Sequence, residues 1–265
     1  MKIGIFDSGI GGLNVMAGCI KLLPDEEYEY YADSDNCPYG TKTSEQIIEY
    51  TDRGIKFLRD KGCDIVCIAC NTATSVAAAI LRKKYDFPIV GVEPAVKPAV
   101  TDGDRDKRIL VLATPVTVRE KKLHDLIERF DELHRVDVLA LPKLPVFAEA
   151  GKFDGDEVDE YLSGEFKNVN TGLYDRIVLG CTHFIHYIPA FRKIFGDDCR
   201  FLDGGEGTAR NIKNICTEKG YLSSGRFVIN YYQSGRIVTD KDKKDFYTKV
   251  LKRVNDIRQQ LINNI

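Results

Sequence analysis

The chain has 265 residues, 43% hydrophobic and 29% charged, which is enough apolar sequence for a substantial core and excludes global disorder. The formal net charge of −2 gives no overall attraction to nucleic-acid phosphates or anionic membranes, so we expect neither as a partner. No apolar run reaches the ~20 residues that span a bilayer and no signal peptide is evident, so we expect a cytoplasmic protein with reduced cysteines.

The first part of the chain alternates predicted strands with predicted helices. The strands are predicted at 2–6, 27–33, 63–69 and 87–93, and the helices at 11–23, 44–61 and 72–85. A capping box between Thr43 and Gln46 is predicted to begin the second helix, which ends at Gly62. The segment 33–43 has the Pro-Tyr-Gly composition of a turn.

The pattern restarts at Arg108. Strands are predicted at 108–113, 135–141, 175–181 and 199–204, and helices at 117–130, after 150–160, and at 183–195, 205–220 and 242–262. This alternation predicts an α/β protein with mainly parallel sheets flanked by helices. "DIVCIACNTATSV" and "DRIVLGCTHFIHY" share one pattern, which indicates two similar lobes. We predict a discontinuous first lobe at 1–95 plus 208–265 and a second at 96–207.

Three cysteines in "CDIVCIAC" have a spacing that can hold an iron–sulfur cluster. They lie in a predicted strand, where side chains alternate between faces and residues rise by about 3.3 Å. Cys63 and Cys67 could share a face, but Cys70 would lie beyond them. We therefore interpret Cys63 and Cys67 as small core residues and predict no metal site.

Cys70 differs because it lies where a strand ends and a helix begins. Ligands of open α/β sheets bind beyond the carboxyl ends of strands, and a helix N-terminus lowers the pKa of a thiol. Cys181 has the same placement and precedes Thr182 and His183. Two cysteines in matched positions, each with polar neighbours, favour a catalytic role over that of inert buried thiols.

The turn "FDSGIGG" places Asp7 and Ser8 after the first strand. Glycines let backbone N–H groups approach an anion, and the helix N-terminus that follows favours negative charge. The turn matches neither a nucleotide P-loop nor a dinucleotide fingerprint, so a carboxylate or small phosphate fits better. A tight turn capped by Ser8 is the alternative. Cys37 and Glu149 carry no local signal of function, and Thr114 and Thr117 are compatible with simple helix capping.

Four motifs, "FDSGIGG", "CPYG", "ACNTAT" and "LGCTH", occur in this order between Ile3 and about Arg210. Together they resemble the glutamate racemase family of the aspartate/glutamate racemase superfamily. The resemblance implies an isomerase with no cofactor and no metal, which holds glutamate in a cleft between two α/β lobes. It also implies that the enzyme supplies D-glutamate for bacterial peptidoglycan, and hence for cell shape, and that it is a possible homodimer.

The resemblance implies that Cys70 and Cys181 are the catalytic proton-transfer residues, supported by Asp7, His183 and Glu149. The substrate contacts that it implies are Asp7, Ser8, Tyr39, Gly40, Asn71, Thr72, Thr117, Thr182 and His183. Phe184 and Ile185 depart from the family's usual Tyr-Pro, and His186 has no assigned role.

Three alternatives stay open at this point. The chain could racemise aspartate or another small acidic amino acid, although aspartate racemases resembling this chain tend to carry an acidic residue where His183 stands. It could bind acidic metabolites without turnover, or use Cys63, Cys67 and Cys70 in redox chemistry.

Overall fold

The computed structural model describes residues 1–263, whose strands form two sheets. The strands are β1 (Lys2–Asp7), β2 (Glu27–Ala32), β3 (Ile65–Ile68), β4 (Ile89–Gly91), β5 (Arg108–Ala113), β6 (Val136–Ala140), β7 (Tyr174–Gly180), β8 (Arg200–Asp203), β9 (Val228–Gln233) and β10 (Arg236–Ile237). The six-stranded sheet has the order β10-β9-β2-β1-β3-β4, and the four-stranded sheet has the order β6-β5-β7-β8. Every pair is parallel except β9 with β10, so the predicted α/β class is confirmed.

Helices flank both sheets. They are α1 (Leu13–Leu22), α2 (Ser44–Asp60), α3 (Asn71–Lys84), α4 (Val96–Asp102), α5 (Pro115–Arg119), α6 (Lys121–Phe130), α7 (Leu144–Glu149), α8 (Asp156–Phe166), α9 (Ile188–Phe195), α10 (Gly205–Glu218) and α11 (Lys241–Asn263). The capping box is confirmed, because Gln46 N donates to Thr43 Oγ1 at 3.3 Å and Thr43 N donates to Gln46 Oε1 at 3.1 Å. No helix within residues 1–263 is both long and apolar enough to cross a bilayer.

The central strands are buried on both faces, as expected for parallel strands covered by helices. All four residues of β3 are buried, and so are the last five of β1. Phe6 of β1 pairs with Ile68 of β3, and Ala113 of β5 pairs with Gly180 of β7. The carboxyl ends of the central strands of each sheet therefore lie side by side.

Two predicted helices are wrong in detail. The segment 117–130 is not one helix, because Glu120 has an extended backbone (φ −71°, ψ 129°) that separates α5 from α6. The segment 183–195 begins as a 3₁₀-helix at Thr182–Tyr187, and α9 starts only at Ile188. Pro189 lies in the first turn of α9, where proline is tolerated because the first N–H groups of a helix need no intrahelical acceptor.

Some elements were not predicted. The chain around 226–237 supplies β9, which pairs in parallel with β2 from Glu27↔Val228 onward, and the edge strand β10. Helices α4 and α7 were also missed. The six-stranded sheet takes its strands from 2–91 and 228–237, and the four-stranded sheet from 108–203. The lobe boundaries at 95/96 and 207/208 stay a prediction.

Candidate active site

Two cysteines from different sheets border one cavity. Cys70 follows β3 and is the N-cap of α3, where its Sγ accepts from Ala73 N–H at 3.5 Å and lies 3.6 Å from Ser8 Oγ. Cys181 follows β7 and precedes the 3₁₀-helix Thr182–Tyr187, with its Sγ 3.7 Å from His183 Nδ1. The two cysteines share one small cavity.

Most of the sequence-predicted contacts lie on this cavity. Its lining residues are Ser8, Pro38, Tyr39, Gly40, Cys70, Asn71, Thr72, Thr114, Pro145, Cys181 and His183. Four of the predicted site residues, Asp7, Thr117, Glu149 and Thr182, do not line it but bond to residues that do or to one another. A wider groove elsewhere, bordered by Arg82, Arg210 and Arg258, contains no cysteine.

Three threonine hydroxyls form a cluster beside the cavity. Thr72 Oγ1 lies 2.9 Å from Thr114 Oγ1 and 3.1 Å from Thr117 Oγ1. Thr114 also caps α5, since its Oγ1 accepts from Thr117 N at 3.3 Å. Thr114 lines the cavity whereas Thr117 lies behind it. Thr114 directly follows β5, and this position at a strand end is the sequence signal that would have identified it as a site residue.

Asp7 links the two sheets from beneath the cavity. Its Oδ1 accepts from Gly9 N at 2.9 Å, and its Oδ2 accepts from Thr182 Oγ1 at 3.1 Å. Asp7 is completely buried, and burial raises its pKa to about 6 although the nearby His183 opposes that rise.

His183 and Glu149 form a hydrogen-bonded pair. His183 Nε2 lies 2.7 Å from Glu149 Oε1, and the same oxygen accepts from Ile10 N at 2.7 Å. Burial alone would lower the pKa of His183, but its bonds to Cys181 and Glu149 raise that pKa well above the ordinary value. The imidazole is therefore held as an imidazolium between the Cys181 sulfur and the Glu149 carboxylate.

The predicted effect of the helix N-terminus on the pKa of Cys70 has the expected direction, but burial outweighs it. Burial, followed by the charge of Asp7, raises the pKa of the Cys70 thiol to about 12. The bonds from Ala73 N–H and Ser8 lower that pKa but do not outweigh burial. Cys70 is therefore a thiol at the border of the cavity.

The cysteines of "CDIVCIAC" do not form a cluster site. Cys67 packs in the core with Ile5 and Ile65, whereas Cys63 and Cys70 pack in the cluster that contains Phe6. Cys63 lies before β3 begins, so the expected sharing of a face with Cys67 does not occur. Within residues 1–263, the ligand atoms close enough for a metal belong instead to Cys37, Glu149 and His183, all within 4.8 Å of one another.

The glycine-rich turn lets the two halves of the molecule approach closely. A methyl group at Gly11 would collide with Thr182 Oγ1 and lie 2.7 Å from His183 Nδ1. A methyl group at Gly9 would collide with the Glu149 carboxylate. Besides the anion site that the sequence suggests, these glycines therefore make room for side chains from the other sheet.

Comparison with known proteins gives relatives of full length. The chain matches the family described as Asp/Glu/Hydantoin racemase over residues 3–212. It is 44% identical to the "Glutamate racemase" of Lachnospira eligens over 264 residues, which cover 98% of this chain and 100% of the relative. It is 40% identical to "Glutamate racemase 2" of Bacillus subtilis over 265 residues, 100% of both chains.

Solved structures have the same fold. The glutamate racemase of Campylobacter jejuni superposes with a TM-score of 0.77 and 30% identity, over 95% of this chain and 98% of that one. The Escherichia coli glutamate racemase, solved with L-glutamate and the activator UDP-MurNAc-ala, gives 0.78 and 27%, over 96% and 94%. The protein thus belongs to the Asp/Glu/hydantoin racemase family and is a racemase in the isomerase class.

Proposed function

We propose that this protein is a glutamate racemase that interconverts L- and D-glutamate without a cofactor, with Cys70 and Cys181 as its two proton-transfer residues. The observation that carries the proposal is the placement of the thiols after β3 and β7 at the border of one cavity. The choice of glutamate is supported by full-length relatives of that name at 40% and 44% identity.

Racemisation removes the Cα proton from one face and returns a proton to the opposite face. The thiolate of one cysteine takes the proton, and the electron pair of the broken C–H bond stays on the substrate as a carbanion. The thiol of the other cysteine then donates its proton to the opposite face and becomes the thiolate. The reverse reaction exchanges the two roles. Both sulfurs must therefore lie within reach of Cα, one on each face, whatever their pKa values.

The two sulfurs have different neighbours. Burial raises the pKa of Cys70 to about 12, so Cys70 rests as the thiol. Cys181 Sγ lies 3.7 Å from His183 Nδ1, so the imidazolium is in place to assist proton transfer at this sulfur.

Polar groups at the cavity wall suit both ends of an amino acid. The Ser8 and Thr72 hydroxyls and the backbone N–H groups of the strand-end turns can stabilise the charge that develops on the substrate carboxylate. Asn71 Oδ1 is buried and has no hydrogen-bond partner among residues 1–263, so it can accept from the substrate ammonium. The Tyr39 hydroxyl already donates to Asp33 Oδ2 at 2.6 Å, so its ring serves as a wall.

Three of the remaining predicted residues act through their neighbours in this scheme. Thr182 and Asp7 hold the two strand ends together, and Glu149 keeps His183 protonated through their 2.7 Å bond. Gly40 leaves space at the wall, because a methyl group there would lie 2.8 Å from Thr114 Cβ.

The direct test compares Cys70→Ser and Cys181→Ser with Cys216→Ser, a buried cysteine of α10 outside the cavity. Circular dichroism follows the interconversion of L- and D-glutamate. We expect each site variant to lose about 10²- to 10⁴-fold in turnover and the control to keep it. Turnover by both site variants at the wild-type rate would end the proposal.

Two further measurements separate related activities. In deuterated solvent, a two-base path labels Cα of the newly formed enantiomer, and product without label contradicts it. A panel of amino acids distinguishes glutamate from aspartate. Glutamate binding without turnover by the wild-type protein would identify a binding protein instead.

The cellular role that we propose is supply of D-glutamate for peptidoglycan by a cytoplasmic homodimer. Restored growth of a D-glutamate-requiring bacterium tests the role. Light scattering after size exclusion tests the dimer, and fractionation of the producing cell tests the compartment.

A further inference from the structure

We propose that Cys37, Glu149 and His183 form a binding site for a thiophilic divalent cation such as Zn²⁺, and that the bound ion inhibits the enzyme. One ligand atom of each side chain lies within 4.8 Å of the other two. Thiolate, imidazole and carboxylate are the ligands that zinc takes in proteins, and three protein ligands leave the fourth position for water or another small ligand.

The spacing of the ligand atoms suits a tetrahedral ion. Zinc bonds of about 2.0–2.3 Å place neighbouring tetrahedral ligands roughly 3.3–3.8 Å apart. Each pair of these atoms therefore needs to close by no more than about 1.5 Å around an ion. The bond between His183 Nε2 and Glu149 Oε1, at 2.7 Å, is shorter than this spacing and must open.

Two of the candidate metal-ligand atoms make no hydrogen bond within the described part of the chain. Glu149 Oε1 accepts from both Ile10 N and His183 Nε2, whereas no hydrogen bond within residues 1–263 uses Glu149 Oε2 or the Cys37 thiol. Glu149 can thus bind a metal through Oε2 while Oε1 keeps its bond to Ile10. Cys37 lies in a short segment between the 3₁₀-helices Ser34–Asn36 and Tyr39–Thr41, outside the regular elements.

Zinc binds a deprotonated thiol and a neutral imidazole, so binding at these ligands releases protons and depends on pH.

Binding would join the two halves of the molecule and occupy a group of the catalytic site. Cys37 follows β2 of the six-stranded sheet, whereas Glu149 ends α7 and His183 follows β7 of the four-stranded sheet. The ion replaces the Nε2 proton of His183 and breaks the ring's bond to Glu149, which changes the position and charge of the imidazole whose Nδ1 lies 3.7 Å from Cys181 Sγ. The inhibitory effect rests on the proposed function, whereas metal binding at these ligands does not.

Cobalt absorption tests the site without any assay of turnover. Metal-free wild-type protein, kept reduced without thiol reagents, is titrated anaerobically with Co²⁺. We expect one equivalent to bind with a thiolate-to-cobalt charge-transfer band and the visible bands of a tetrahedral ion. Cys37→Ser should lose the charge-transfer band, and the matched control Cys216→Ser should keep it.

Two spectroscopic outcomes would overturn the proposal. One is the absence of any tetrahedral cobalt spectrum in the wild-type protein. The other is a charge-transfer band that persists in Cys37→Ser and disappears in Cys70→Ser or Cys181→Ser, which would place the ion on the proton-transfer thiols.

Inhibition is measured with the same variants. We expect Zn²⁺ to inhibit racemisation by the wild type and by Cys216→Ser. For Cys37→Ser, the inhibitory concentration should rise at least about tenfold, because loss of a metal ligand weakens metal binding at least as much as loss of a residue that hydrogen-bonds to a ligand. Equal inhibition of all three proteins would place the inhibitory ion elsewhere. If the protein binds cobalt through Cys37 but does not racemise glutamate, the metal site stands and the proposed function fails.

Discussion

Thr182 Oγ1 donates a 3.1 Å hydrogen bond to Asp7 Oδ2, which joins the carboxyl end of β7 in one sheet to that of β1 in the other. Thr182 directly follows Cys181, and Asp7 directly precedes Ser8, whose hydroxyl lies 3.6 Å from Cys70 Sγ. Each sulfur is therefore connected to this bond through a short path, and the bond helps to set the separation of the two thiols.

Thr182→Val keeps the shape of the side chain and removes the donor to Asp7. We expect the free energy of unfolding to fall by about 1–3 kcal/mol, because a buried carboxylate loses a partner. Turnover should fall at least about tenfold, since a small displacement of reacting groups is costly. Urea denaturation and racemase kinetics provide the measurements. Thr217→Val, an exposed position in α10, is the control, and equal behaviour of the two variants would contradict the assigned role.

Glu149→Gln tests whether the charge of Glu149 supports the imidazolium of His183. Glutamine can still accept from Ile10 N, where Oε1 now accepts at 2.7 Å, so the local fold should persist. We expect kcat to fall by about 10²-fold with little change in KM, since the effect is on proton transfer. Glu160→Gln, on the exposed face of α8, should leave both constants unchanged. A Glu149→Gln enzyme that keeps its kcat would show that the carboxylate charge is not needed.

Gly11→Ala places a methyl group where Thr182 Oγ1 and His183 Nδ1 lie. We expect at least about a 10²-fold loss of turnover, because both groups must move away from the cavity. The matched control is Gly164→Ala in the exposed interior of α8, where a new Cβ meets nothing within 4 Å. That control should keep full activity and gain about 0.5–1 kcal/mol in the free energy of unfolding, because alanine favours a helix over glycine. Full activity of Gly11→Ala would show that the turn tolerates a wider spacing.

His186 is predicted to make the fold sensitive to acid. It is completely buried against Phe153, with ring centroids 4.7 Å apart, and neither ring nitrogen has a hydrogen-bond partner among residues 1–263. Burial, followed by the charges of His183 and Arg253, lowers its pKa from 6.5 to about 3. Below pH 6.5, this histidine binds a proton in the unfolded chain but not in the folded chain. Its contribution to the free energy of unfolding is therefore fully present above pH 6.5 and is lost as the pH falls toward 3.

His186→Phe removes this titration and keeps the contact with Phe153. Between about pH 7.5 and pH 5, we expect the wild type to lose about 2 kcal/mol more unfolding free energy than the variant. Urea denaturation at both pH values measures the difference. His124→Gln, at an exposed position of α6, should lose as much stability as the wild type. Parallel pH profiles for His186→Phe and the wild type would contradict the prediction.

The regular parts of the fold could be predicted because their signals are local. Apolar runs such as that of β3, with strong turn residues on either side, define parallel strands, and the side chains of Thr43 and Gln46 define a helix start. The strand-end positions of Cys70 and Cys181 follow from the same runs, which is why both cysteines could be singled out.

The missing parts depend on contacts between distant segments. Glu149 meets His183 because the end of α7 packs against the glycine turn, and no pattern around residue 149 reports that contact. Cys37 meets the same pair for the same reason. The raised pKa of Cys70 depends on its burial by distant segments, which a strand-to-helix junction alone does not reveal.

The pairing of β2 with β9, from Glu27↔Val228 to Ala32↔Gln233, has a consequence for synthesis on the ribosome. The early strands emerge long before their partner, so a growing chain exposes the outer edge of β2 through most of translation. Unpaired strand edges invite association with other chains, and chaperones commonly cover such surfaces. A nascent chain arrested before residue 228 should therefore be retained by chaperones, whereas one that has released residue 233 can complete the sheet.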